Sequence, residues 1–134
     1  MFVTALEDFD YRPHYVDGHI VPDNVVTQST LLWRPDDKHE DVIVPSGFVN
    51  DLASLPWFSR TFLSKLGKHQ RCAVLHDWLY RNRIHGKMWA DKQFNLAMKQ
   101  DNVPAWRRRT IMIGLKAGGF ISWYRDSKVE VLVA

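Results

Sequence analysis

The hydrophobic rhythm of this chain changes once, near Asn50, and that change fixes the class of fold open to it. Up to about residue 50, short runs of Val, Ile, Thr, Phe and Tyr are cut by Asp17-Gly18, Pro22, Pro35 and Pro45, the pattern of short strands joined by tight turns. Beyond it, apolar residues recur every three to four positions, as on one face of a helix. The expectation is an α+β fold: a small antiparallel N-terminal sheet followed by a bundle of about three helices.

The expected strands are Phe2 to Asp8, Tyr15 to Val21 around Asp17-Gly18, Val25 to Trp33, and Asp41 to Val44. The charged run from Arg34 to Asp41 reads as a solvated loop in preference to a metal site. A first amphipathic helix covers Cys72 to Tyr80. A second runs from about Trp89 to Gln100 after the His85-Gly86 turn, and a third starts near Pro104 and continues through Ile121. Gly114, Gly118 and Gly119 weaken that third helix, so they permit close packing or mark its end. Residues 128–133 alternate and suit a returning strand. The chain therefore reads as one domain, mainly strand over 1–50 and mainly helix over 51–126.

With 134 residues, 46% apolar and 25% charged, the chain can bury a core without staples. Its single cysteine, Cys72, lies in the apolar run Cys72-Ala73-Val74-Leu75 and reads as a small buried residue. A net charge of +3 gives no argument for nucleic acid. Met1 to Asp8 lacks the positive and apolar regions of a secretory signal, and the most apolar stretch, Ile111 to Tyr124, is interrupted by Lys116 and too short to span a bilayer. A soluble or peripheral protein is expected.

The chemistry concentrates in three segments: Asn50-Asp51-Leu52-Ala53-Ser54-Leu55-Pro56, Ala73 to Asn82, and Ala90-Asp91-Lys92-Gln93-Phe94. On a helix, His76 and Asp77 point about 100° apart, so they flank a cleft and do not share one task. Tyr80 lies one turn beyond His76. If the first two helices form an antiparallel hairpin, Asp91 approaches His76 from the facing helix. A carboxylate on one imidazole nitrogen fixes the tautomer and leaves the other as a general base. The alternative is a buried polar network tying the hairpin together, with Asp51 and Asp91 as helix N-caps. A zinc site is disfavoured, because no H-x-x-x-H or paired-cysteine spacing exists.

The run Ala73 to Tyr80 with Ala90 to Phe94 resembles the paired active-site helices of the secretory phospholipase A(2) superfamily, in which His-Asp-x-x-Tyr faces an aspartate followed three positions later by an aromatic residue. The likeness covers about thirty residues. It implies that His76 activates water, Asp77 binds calcium, Asp91 orients His76 and Tyr80 supports it. The calcium loop of that superfamily is glycine-rich, whereas here Gly47 is followed by no glycine until Gly67. Asp77 alone cannot hold a cation that takes six to eight oxygens, so Asp51 and nearby carbonyls are the expected further ligands.

A second resemblance, over about residues 42–123 and including Val44 to Pro56, is to a phage and prophage family named domain of unknown function 1353. It implies a phage or prophage origin, residence in the host cytoplasm or the virion, and other phage structural proteins as partners. The expected function is metal-assisted hydrolysis of an ester, such as a phospholipid; the alternative is a non-catalytic virion, tail or assembly component. Residues 56–69, with Phe58, Phe62 and Leu66 in helical register beside Arg60, Lys65 and Lys68, suit either an anionic lipid surface or packing on the sheet. Arg107, Arg108 and Arg109 spread around a helix and read as solvated.

Overall fold

The computed structural model describes residues 1–51, 70–124 and 129–133. An antiparallel N-terminal sheet region is followed by helices, the α+β arrangement that the change of rhythm predicts. Strands β1 (Tyr11–Val16) and β2 (His19–Thr27) form a hairpin. Its turn is Asp17-Gly18, both at positive φ (50° and 79°), which matches the twist of the flanking strands. Thus the run expected as one strand around Asp17-Gly18 is the tip of a hairpin, and the turn residues separate two strands.

Strands β3 (Leu31–Trp33) and β4 (Val42–Val44) pair in a second, two-stranded sheet. The run expected as one strand from Val25 to Trp33 breaks after Thr27, because β2 pairs with β1 while β3 pairs with β4. Strand β5 (Val49–Asp51), which periodicity alone does not reveal in so short a run, joins the first sheet to give the order β1-β2-β5. Phe2 to Asp8 is not a strand: Phe2 makes a single bridge to Trp33, and Leu6–Asp8 forms a 3-10 turn. The tail returns as expected but only as a bridge, from Val131 to Phe48.

Among the described residues the helices are α1 (Arg71–Arg81), α2 (Lys87–Gln100) and α3 (Ala105–Tyr124). Helix α3 continues through Gly118 and Gly119, so these glycines do not end it; Gly114 is buried. Residues 56–69, the proposed basic amphipathic segment, lie outside the described residues. No helix among those described is long and apolar enough to cross a membrane.

Helix α1 is the centre of the molecule. It contacts α2, α3, β3, β4 and β5, and every residue from Arg71 to Tyr80 except Trp78 is buried. A helix covered on all sides needs no polar face, which is why its apolar stripe is broader than the amphipathic pattern suggests. The core joins Trp33, Phe9, Phe48 and Leu31 from the strand region to Leu75, Leu79, Phe94, Met98 and Ile111 from the helices. Trp33 packs edge-on against Phe2 at 4.8 Å, and its indole N–H donates to Gln93 Oε1 at 3.0 Å.

A buried ion pair ties both ends of this core together. The Arg71 guanidinium donates from Nε to Asp101 Oδ2 at 2.8 Å and from Nη2 to Oδ1, reaches the Thr4 carbonyl at 2.9 Å, and lies 3.9 Å from the centre of the Phe2 ring. With its charge matched and its donors used, Arg71 is tolerated where an unpaired cation would not be.

Candidate functional site

The α1–α2 hairpin determines the site. The two helices are joined by a tight turn in which Arg83 and His85 take positive φ (47° and 60°), and Gly86 occupies the N-cap of α2. Antiparallel packing then sets Asp91 against the His76 turn of α1. Asp91 is therefore one turn inside α2 and does not cap it, contrary to the capping alternative. Asp51 ends β5, and the residues that follow it, where a helix capped by it would start, lie outside those described.

Asp91 gathers three donors. His76 Nε2 lies 2.8 Å from Oδ1, the Tyr80 hydroxyl donates to the same oxygen, and Lys87 Nζ donates to Oδ2 at 2.8 Å and to the Leu115 carbonyl at 3.2 Å. An ionised carboxylate only accepts, so Nε2 carries a proton in this bond and Nδ1 holds the lone pair of the neutral ring. The imidazole is stacked on Phe94 at 4.4 Å and meets Tyr80 at 4.1 Å. These contacts fix the ring plane, and they leave the residue 1% exposed.

The electrostatics follow from this geometry. Burial by itself would raise the Asp91 carboxyl; the hydrogen bonds from His76, Lys87 and Tyr80 outweigh it and hold the group below its ordinary range. Burial, reinforced by the adjacent Asp91 carboxylate, pushes the Tyr80 phenol up, so Tyr80 remains a donor.

Of the residues singled out by sequence, His76, Tyr80 and Asp91 converge. Asp77 lies on α1 beside them but points elsewhere: it is buried, and Arg81 Nε donates to its Oδ1 at 2.9 Å. The side chain of Asp51 lies outside the described residues. Two partners escaped the sequence reading. Lys87 stands four residues before Asp91, an i, i+4 helical pair, but it is invisible if α2 is started at Trp89. Arg81 bears the same relation to Asp77.

Calcium fits poorly among the described residues. Asp77 is already neutralised by a guanidinium, and no three His, Cys, Asp or Glu side chains converge to hold an ion.

A family model described as "Protein of unknown function (DUF1353)" matches residues 25–115, which include the end of β2, all of β3, β4, β5, α1 and α2, and the first half of α3. No curated protein and no solved structure matches the chain.

Proposed function

Because the chain belongs to the DUF1353 family, whose description carries no activity, we propose its function from the site itself: hydrolysis of an ester with His76 as general base and Asp91 as its orienting partner. The observation that carries this reading is the 2.8 Å bond from His76 Nε2 to Asp91. It leaves Nδ1 to take a proton from water as the water oxygen attacks the ester carbonyl. The tetrahedral intermediate then collapses, the imidazolium returns the proton to the departing alkoxide, and acid and alcohol leave. Asp91 stays ionised throughout and offsets the imidazolium charge. No step runs through calcium, since the Asp77 carboxylate is held by Arg81.

The substrate class, an ester such as a phospholipid, and the phage or prophage origin rest on the likenesses in Ala73 to Phe94 and in residues 42–123. Contact with an anionic lipid surface or with phage structural proteins belongs to the same proposal. A second reading is favoured by one observation, the 1% exposure of His76: the cluster is then a structural lock in a non-catalytic virion or assembly component.

The test is hydrolysis of short-chain nitrophenyl esters and of vesicles of phosphatidylcholine with phosphatidylglycerol by the full chain, with calcium or with a chelator. The hydrolase reading expects turnover that survives chelation and falls about 100-fold or more in His76→Gln at unchanged helical circular dichroism. Absence of turnover in the wild type, or turnover unaffected by His76→Gln, overturns it. The structural reading expects that variant to lose thermal stability with no turnover to lose.

A further inference from the structure

A separate cluster lies where the β3–β4 loop meets the α1–α2 turn. The rings of His39 and His85 are 4.7 Å apart at their centroids, and Trp89 stands against both, 5.2 Å from His39 and 4.5 Å from His85. His39 is held in place: Asp36 Oδ1 and Oδ2 lie 2.8 Å and 3.0 Å from its Nδ1, and Asp36 Oδ1 also accepts the backbone N–H groups of Lys38 and His39. The bidentate Arg34 and Asp41 pair pins the two ends of this loop, at 3.0 Å and 2.9 Å. The charged stretch is a solvated loop, as its sequence predicts, with most of its residues exposed, and within it Asp36 holds one imidazole.

We propose that His39 and His85 bind one borderline transition-metal ion, of the Ni²⁺, Cu²⁺ or Zn²⁺ class, with Asp36 orienting His39 and water completing the coordination. The geometry is the argument. Metal–nitrogen bonds of about 2.0–2.1 Å and ligand angles from about 90° to about 109° bring the two imidazole centroids roughly 4.5–5.2 Å apart. The observed separation of 4.7 Å falls within that interval. The carboxylate accepts a hydrogen bond from the Nδ1–H of His39, which presents Nε2 as the ligating nitrogen, the outer-shell arrangement common to metal-bound histidines. Imidazole nitrogens favour borderline ions over hard ones, so calcium and magnesium are excluded by ligand type. Among the described residues no third His, Cys, Asp or Glu converges, so these supply two ligands and the ion is exchangeable.

Trp89 makes the proposal readable, because an open-shell ion beside its indole quenches its emission. The full chain is titrated with NiCl₂ at neutral pH by calorimetry and by tryptophan fluorescence. Expected are one saturable ion per chain and partial quenching, with affinity lowered at least tenfold in His39→Ala and in His85→Asn, the asparagine being chosen because His85 has a φ of 60°. Asp36→Asn should weaken binding about 10-fold or more. Trp89→Phe should keep the binding and remove most of the quench, while millimolar CaCl₂ should not compete. No saturable Ni²⁺ binding to the wild type, or equal affinity in both histidine variants with unchanged circular dichroism, overturns the proposal. Neither result bears on His76, which lies in a different cluster.

Discussion

His76 and Asp91 meet at 2.8 Å across the α1–α2 interface although they are 15 residues apart, and the meeting depends on where α2 begins. Because Gly86 caps α2, Lys87 falls in its first turn and neutralises the carboxylate from its own helix while His76 reaches it from the other.

Replacing Asp91 by Asn leaves the Lys87 ammonium without its carboxylate. Breaking one side of a buried pair costs about 3–5 kcal/mol. The expected outcome is a large fall in the urea midpoint of Asp91→Asn, read by tryptophan fluorescence. The pH dependence has a definite sign. The Asp91 carboxyl titrates lower in the folded chain than its ordinary 3.8, so its contribution is whole above that value and is lost as pH falls through the lower folded-state value. A plot of melting temperature against pH on the acid side should be steeper for the wild type than for Asp91→Asn.

Tyr80→Phe keeps the ring against His76 and removes one donor to Asp91. A loss of about 1–3 kcal/mol is expected in chemical denaturation. Burial and Asp91 raise the Tyr80 phenol, so the stabilisation it carries is present below the ordinary value of 10.0 and fades as pH rises above it. Ultraviolet difference titration should find at least one tyrosine fewer ionising with the free residues in the folded wild type than after unfolding, and Tyr80→Phe should remove one late-titrating tyrosine from the folded protein.

Cys72 should resist thiol reagents while the protein is folded. Burial and then the neighbouring Asp101 carboxylate push its thiol well up, and its Sγ lies 3.3 Å from Asp101 Oδ2. Labelling by an aromatic disulfide reagent should be absent in buffer and complete in denaturant. Rapid labelling of the folded chain would contradict this packing.

Much of the helical half was legible in the sequence because its signals are local. His76, Tyr80 and the apolar residues of α1 are spaced by the helix itself, and Asp91 needed only a short antiparallel return to reach them. The strand half was less legible because β5 is three residues long and finds its partner, β2, far earlier in the chain. No periodicity exists in so short a run. Lys87 and Arg81 were missed for a smaller reason: each is an i, i+4 partner of a carboxylate and stands just outside the expected bounds of its helix, Lys87 two residues before the expected start of α2 and Arg81 one past the expected end of α1.

Gly47 offers a test of the strand half. Its φ of +88° is a conformation that L side chains rarely adopt, and a Cβ there would collide with the Leu132 carbonyl oxygen. Gly47→Ala should destabilise the chain by more than about 1 kcal/mol, since strain and collision add. Equilibrium urea unfolding measures it, and a midpoint equal to the wild type would be inconsistent with this contact.

The same contact bears on how the chain behaves in company. Residues 130–132 cover the outer side of β5, where Val49 N–H donates to the Glu130 carbonyl at 3.0 Å and Leu132 N–H to the Gly47 carbonyl at 2.7 Å. Clipping those residues away uncovers hydrogen-bonding groups next to the apolar Phe48 and Val49, a template on which another polypeptide can stack. Self-association is thus restrained here by a handful of residues at one sheet margin, and a trimmed chain should show it as concentration-dependent growth in light scattering.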